Sequence, residues 1–325
     1  MSLSTLRATF QRWLFRVSGP EPAPIHLGQR RIFVLPTRFG VALGATLFVM
    51  LLASINYALS LGFALTFLIG GVAWVSIHHA FRNLVDLSIA PGRVEPVFCG
   101  SPARFGILLD NATLRPRPGL NLWPTGTPPA ARQAPFDLPP ETVSAREVAI
   151  DTPARGWLTL PRLTLETRHP LGLIRAWSLF QPDLRCLVYP APEAKAPPLP
   201  FGSDERTGEL GRGKGREDFA GLRHHQPADA PRHVAWKTVA RGGPWRTKEF
   251  DGAGARSVAL DWQQLPAGMG TEERLSRLTR WIIDADEAGL EFGLRLPGVD
   301  FPPARGPAHR HACLGALALF GHPHD

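Results

Sequence analysis

The longest apolar run in the chain, "FGVALGATLFVMLLASINYALSLGFALTFLIGGVAWVSI" at residues 39–77, contains no charged side chain. A helix crossing a bilayer core needs about 20 apolar residues, and this run holds about twice that number. One straight helix rising about 1.5 Å per residue would overshoot the bilayer, so the pattern predicts a helical hairpin. Asn56 and Tyr57 mark the turn, giving spans at about 39–56 and 58–77. The run starts too late and extends too far for a signal-peptide apolar region of about 7 to 15 residues. Neither half carries the polar face that a soluble amphipathic helix shows.

From 84 to 190 the pattern changes to short or alternating apolar runs broken by proline and glycine: "LVDLSI", "ARFGILL", "GLNLW", "VSAREVAI", "GWLTLPRLTLET" and "LRCLVYP". Strand-length runs at intervals of about 8 to 12 residues with turn signals between them predict a β-sandwich. "PTGTPPAARQAPFDLPP" at 124–140 reads as an exposed loop, and 191–217 as a proline- and glycine-rich linker. Within that linker "GRGKG" lacks the spacing of a phosphate loop. The segment 218–325 resumes with a strand at 255–262 ending near Asp261. A helix follows, with Leu275, Leu278, Trp281, Ile282 and Ala285 on one face and Thr271 as its cap. Gly289 ends it, "LEFGLRLPG" reads as a strand, and "HACLGALALF" as a closing helix. Strand, helix, strand, helix predicts a small α/β unit with parallel pairing.

Charge adds an orientation. The chain carries a formal net charge of +8, but Arg7, Arg12, Arg16, Arg30, Arg31 and Arg38 stand against Glu21 alone in residues 1–38. The basicity therefore belongs mainly to the flank of the apolar run. By the positive-inside rule it holds the N-terminus on the cytoplasmic side, and two spans return the rest of the chain there. "LSTLRATFQRWLFRV" gathers Leu3, Leu6, Phe10, Trp13 and Leu14 roughly on one side, as an interfacial helix does; a disordered tail is the alternative. Cys99, Cys186 and Cys313 lie far apart without a CxxC pair, which fits a reducing compartment.

The densest chemistry lies in "HHQPADAPRHVAWKTVARGG" at 224–243. Asp229 beside His225 or His233 suits a general base and its orienting carboxylate, yet Thr238 is the single hydroxyl in the stretch and no nucleophile elbow accompanies it. His224, His225, His233 and Asp229 are metal-ligand types, but adjacent histidines on a strand point to opposite faces. Arg232, Lys237, Arg241 and Trp236 suit phosphates and a stacked base, without a recognisable nucleic-acid fold. Two readings fit better and are compatible. In one the stretch is structural, with Asp229 accepting bonds in a tight turn and Arg232 and Arg241 pairing with carboxylates such as Asp218 or Glu249. In the other it is a protein-binding surface, since Trp and Arg are enriched at interface hot spots.

"FAGLRHHQPADAPRHVAWKTVARGG" resembles the signature of domain-of-unknown-function family fifty-eight, of the form R-x-Y-x-P-G-D-x-x-R-x-I-D-W-K-x-x-A-R. Arg223, Pro227, Asp229, Arg232, Trp236, Lys237, Ala240 and Arg241 occupy matching places. "TKEF" follows, and "TRHPLGLIRAW" and "CLVYP" resemble upstream segments of the family. His225, Ala228, Ala235 and His169 depart from it, and two of these changes remove carboxylates. The resemblance implies a tail related to von Willebrand factor A domains. Asp261 stands at the first position of their D-x-S-x-S metal loop, whereas Gln263 and Leu265 replace its serines, so no metal or other cofactor is expected.

The expectation is a membrane-anchored α+β protein of the bacterial inner membrane, with its N-terminus and soluble part cytoplasmic. It comprises a two-helix transmembrane hairpin, a β-sandwich and a truncated von Willebrand A-like α/β unit. As the resemblance implies, it acts as a non-enzymatic adaptor or assembly factor for a MoxR-type AAA+ ATPase or its client, in company with von Willebrand A-domain proteins. Its partners include the lipid bilayer but not nucleic acid. Arg223, Asp229, Arg232, Trp236, Lys237 and Arg241 are the expected contact residues. A hydrolase or ligand-binding protein using Asp229 and nearby histidines in a cleft is the alternative.

Overall fold

Before reaching the apolar run the chain lays down two short strands, β1 (Ile25–His26) and β2 (Phe33–Pro36). The computed structural model describes residues 19–200, 245 and 257–321, with the backbone of 219–224 and 246–250. It divides into one unit ending at Val188 and a second beginning at Tyr189. In the first unit, helices α1 (Arg38–Asn56) and α2 (Ser60–Arg82) follow β2. Next come β3 (Ser88–Val94), β4 (Val97–Phe98), β5 (Ala103–Asn111), β6 (Arg117–Pro124), β7 (Phe136–Leu138) and β8 (Thr142–Ile150). β9 (Gly156–Thr159), β10 (Leu163–Thr167) and β11 (Ile174–Phe180) follow, and β12 (Arg185–Tyr189) runs to the boundary, its last residue opening the second unit.

Two antiparallel sheets, ordered β1-β3-β5-β8 and β2-β11-β10-β6-β7, carry most of these strands; a third joins β4, β12 and β9. Side-chain alternation along β5 aims Phe105, Ile107 and Leu109 inward, and the same period delivers Asn111 to the end of that buried row. Phe105, Ile107 and Leu109 share one core with Leu120 and Leu122 of β6, Leu163 and Leu165 of β10, and Ala176 and Phe180 of β11. Two sheets closing on a common core have the layering of a sandwich. Leu84 and Leu87, just beyond α2, enter the same core.

Several sequence expectations change here. Residues 25–36 are not only a charged flank: β1 pairs Ile25 with Ile89, and β2 pairs Phe33 with Trp177, so each main sheet takes an edge strand from the far side of the hairpin. The proline-rich segment 124–140 contains β7, whose Leu138 is fully buried. "IRAWSLF" forms β11, a central strand that the sequence pattern left unassigned. Residues 1–18, and with them the interfacial helix, lie outside the described residues.

The hairpin has its turn where the run was expected to break. Tyr57 closes α1, Ala58 takes a positive φ of 49°, and Leu59 precedes α2. α2 runs to Arg82, past the expected end at Ile77. At about 1.5 Å per residue both helices are long enough for a hydrocarbon core of about 30 Å. Their burial is inverted relative to a water-soluble helix. Phe39, Leu61 and Trp74 are 79%, 82% and 75% exposed, while Ser54, Thr66 and Ser76 are 2%, 6% and 3% exposed. The hydroxyls of Thr46, Ser54 and Thr66 donate to the carbonyls of Ala42, Met50 and Gly62, one turn back. Gly62 lies where the helices touch: a Cβ there would fall 2.3 Å from Ser54 Oγ.

In the second unit β13 (Phe219–His224) and β14 (Arg246–Phe250) pair antiparallel. β15 (Ser257–Asp261) leads through a short 3-10 turn to α3 (Thr271–Glu287), then β16 (Glu291–Leu296), β17 (Val299–Ala304) and α4 (Pro307–Leu319). β15 and β16 are parallel, as a helical crossover requires, and β17 returns antiparallel as an additional strand. Leu275, Leu278, Trp281, Ile282 and Ala285 of α3 are buried, as its periodicity predicts. The cap moves by one residue: Gly270 is the N-cap, and its N–H donates to Glu273 Oε2 at 3.2 Å. Residues 191–200, read as the first part of a linker, pack on α3. Trp281 Nε1 donates to the Pro197 carbonyl at 2.8 Å, and Arg277 holds Glu193 through two bonds of 2.8 and 2.9 Å. Residues 201–218 lie outside the described residues.

Candidate functional site

Of the residues singled out in the signature, Arg223 falls on β13, opposite Thr247 of the "TKEF" strand β14. Asp229, Arg232, Trp236, Lys237 and Arg241 lie outside the described residues, together with His225 and His233. In the chain they fall within the connection between two paired strands.

Asp261 ends β15, as expected, and both of its oxygens are engaged within the chain. Oδ1 accepts from the Gln263 N–H at 2.8 Å, and Oδ2 lies 3.5 Å from the Arg295 guanidinium. Leu265, where the resemblance would call for a serine, is buried. Among the described residues no group of three His, Cys, Asp or Glu side chains is placed to hold a metal ion. The Cys313 thiol is buried and its pKa is pushed up to about 12; burial also raises that of Cys186. Such thiols are poor nucleophiles, because the thiolate is the reactive form. His309 meets the Phe292 carbonyl at 2.7 Å, and His311 meets the Tyr189 hydroxyl.

The most elaborate polar arrangement among the described residues is at the base of the hairpin. Thr37, the N-cap of α1, accepts from the Gly40 N–H through Oγ1. The same hydroxyl donates toward the carbonyls of Gly172 and Leu173, at 2.7 and 3.0 Å. Gly40 is needed there, since a Cβ would lie 2.1 Å from the Leu173 carbonyl oxygen. At the other helix, Asn83 caps the C-terminus of α2 and is buried. Its Nδ2 donates to the Pro118 carbonyl at 2.7 Å and to Thr167 Oγ1 at 2.9 Å. Arg117 completes the junction. Nε donates to Asn111 Oδ1 at 2.7 Å, and Nη1 donates to the carbonyls of Asn83 and Val85 at 3.0 and 2.7 Å. Asn111 in turn donates to the carbonyls of Arg115 and Pro139, both at 2.8 Å.

Arg117 is a buried cation whose bonded partners are all neutral. Burial lowers its pKa from the usual arginine value; nearby Asp86 opposes that shift and Arg115 adds to it. A polar cavity of about 820 Å³ opens beside it, lined by Arg82, Arg115, Arg117, His79 and His169, with Asp86 as the one carboxylate in the wall. An apolar groove of about 600 Å³ runs from His79 up the side of α2, between Phe67, Leu68, Val72 and Val75 and the turn at Pro170–Leu171. Both helix ends are thus held to the β layers by hydrogen bonds, part-buried at α1 and buried at α2, and an anion-compatible cavity sits at the seam.

No family model matches the chain, and no curated protein matches it significantly.

The sequence reading did not find this junction. Asn83, Asn111 and Arg117 are single polar residues next to turns, where polar residues are commonplace. Two signals were present: the strand alternation that points Asn111 inward, and an arginine opening a strand of otherwise apolar inward positions in "RPGLNLWP".

Proposed function

We propose that the chain is a two-span protein of the bacterial inner membrane whose cytoplasmic β and α/β units form a non-enzymatic adaptor. The observation that carries the membrane part is the inverted hairpin. Its large apolar side chains face outward and its buried positions are Ser, Thr and Ala, the arrangement favoured where lipid rather than water is the solvent. Arginines stand at one end only: Arg38 opens α1 and Arg82 closes α2, while the turn at 56–59 has none. The positive-inside rule then puts the β layers in the cytoplasm. The close seating of both helix bases on the β layers suits an anchor that holds the β layers of the first unit in a fixed pose at the membrane.

The adaptor part rests on the likeness of the signature stretch to domain-of-unknown-function family fifty-eight. Its members are commonly encoded beside MoxR-type AAA+ ATPases and von Willebrand A-domain proteins. A truncated von Willebrand A-like identity for the second unit is part of this reading, supported by the parallel β15–α3–β16 crossover and by Asp261 at the carboxyl end of β15. Arg223, Asp229, Arg232, Trp236, Lys237 and Arg241 form its contact surface. Affinity capture of the detergent-solubilised chain, beside a Trp236→Ala, Arg232→Ala variant of parental thermal stability, tests this. Capture of an AAA+ ATPase by the parent and not by the variant is expected. No ATPase with either, across nucleotide states, sinks the adaptor reading.

A further inference from the structure

We infer that the seam between α2 and the β layers is a binding site for one anionic phospholipid, its headgroup phosphate in the polar cavity and an acyl chain in the apolar groove. This rests on the membrane reading above and adds a ligand to it. The two spaces are continuous in chemistry as well as place: His79 lines both, and the turn that supplies His169 to the polar cavity supplies Pro170 and Leu171 to the groove.

The groove has the dimensions of one leaflet. From Phe67 to His79, α2 rises about 18 Å, close to half of a hydrocarbon core of about 30 Å. His79 thus lies at headgroup depth, with Arg82 one turn further toward the β layers. Phe67, Leu68, Val72 and Val75 are all exposed on the helix, and Leu171 is exposed on the facing turn. Pro170 and Leu171 flank this face of α2 near His79, so an acyl chain lying in the shallow, open groove would meet apolar side chains from both elements. Each cavity is also within the usual size of small-molecule sites, about 300 to 1,000 Å³.

Charge selects the headgroup. Three arginines, Arg82, Arg115 and Arg117, line the polar cavity against Asp86 alone. Arg117 is fixed by neutral acceptors and brings a positive charge that no bonded carboxylate neutralises. Arg82 and Arg115 are more open, and their guanidinium groups match phosphate oxygens in number and geometry. Basic pockets on the cytoplasmic side of membrane helices are suited to anionic headgroups in this way. A zwitterionic headgroup would bring its own cation into a site already rich in them.

Native mass spectrometry of the full chain in detergent, titrated with phosphatidylglycerol or with phosphatidylcholine of the same acyl chains, reads the site directly. One phosphatidylglycerol per chain is expected, held at least about tenfold more tightly than phosphatidylcholine. An Arg82→Gln, Arg115→Gln variant is expected to lose that preference, and the Arg82→Lys, Arg115→Lys variant to keep most of it. Leu171→Asp is expected to weaken both lipids together. Thermal melting confirms that each variant is folded; Arg117, which is structural, is left in place. Equal affinity for the two lipids, or an unchanged preference in the folded glutamine variant, overturns the inference. Full displacement by inorganic phosphate overturns it too, in favour of a free-anion site. Alkaline extraction of membranes from the same cells separates the two failures. Release of the parent chain refutes the anchor, whereas a retained chain without lipid preference refutes only the site.

Discussion

Replacing Arg117 by Met keeps an unbranched apolar stem, shorter than that of arginine, and removes every donor. Three bonds are lost, to Asn111 Oδ1, the Asn83 carbonyl and the Val85 carbonyl. Hydrogen bonds to a charged group contribute about 1.5 to 3 kcal/mol each, so the gross loss is roughly 5 to 9 kcal/mol. Two effects offset it. The variant no longer buries a cation, whose effective desolvation cost is about several kcal/mol. Asn111 Oδ1 also keeps the Thr113 hydroxyl at 2.7 Å, and water in the adjoining cavity can reach the freed carbonyls. A net destabilisation of about 2 to 4 kcal/mol remains. For a unit of this size that corresponds to a fall in thermal midpoint of roughly 4 to 16 °C. Near-ultraviolet circular dichroism of the detergent-solubilised protein follows it. Arg117→Lys should fall in between, because one ammonium cannot reproduce the spread of Nε and Nη1 across three acceptors. A midpoint within about 2 °C of the parent for Arg117→Met would refute the claim that this cation ties α2 to the β layers.

Other expectations follow from single contacts. Gly40→Ala should lower the thermal midpoint sharply, because its Cβ would meet backbone at 2.1 Å, while Gly44→Ala, with nothing within 4 Å, should be close to neutral; equal effects would contradict the seating of α1. Maleimide at mildly alkaline pH should label Cys99 in the folded chain and spare Cys313, whose pKa is held at about 12; comparable labelling rates by peptide mapping would count against that burial. The Arg277 guanidinium holds the Glu193 carboxyl below its usual pKa, so this pair stabilises the folded second unit above the ordinary carboxylate range. That contribution is lost as pH falls through the depressed value. Glu193→Gln should flatten the acid limb of the unit's pH–stability curve, and an unchanged limb would show that the pair contributes nothing.

How much of this was legible in the sequence depended on the length of each pattern. Thirty-nine residues without a charge left one reading of the hairpin, and the turn fell at Asn56 and Tyr57 because no other polar pair interrupts the run. α3 was equally clear, since its buried residues recur over several turns. β1 and β4 have two residues each and β7 three, too short for any alternation to register. β2 escaped for a different reason: its "FVLP" stands beside arginines whose positions made the whole segment read as a flank. The junction at Asn83, Asn111 and Arg117 was less accessible still. Those side chains are buried where separate elements bring their ends together under α2; the alternation along β5 and the arginine opening β6 each mark one strand, but neither records the meeting.

The claim at the centre of this account is that the hairpin spans the membrane with the β layers on the cytoplasmic side. Substituted-cysteine labelling of intact bacterial cells with a membrane-impermeant maleimide tests it most directly. Cys99→Ser provides the background, because Cys186 and Cys313 are buried. A cysteine replacing Tyr57, exposed at the turn, should be labelled from outside once the outer envelope is opened. One replacing Arg104, exposed on β5, should be labelled only after the inner membrane is permeabilised. The opposite pattern would contradict the orientation, and equal labelling of both positions in sealed cells would contradict the spanning hairpin itself.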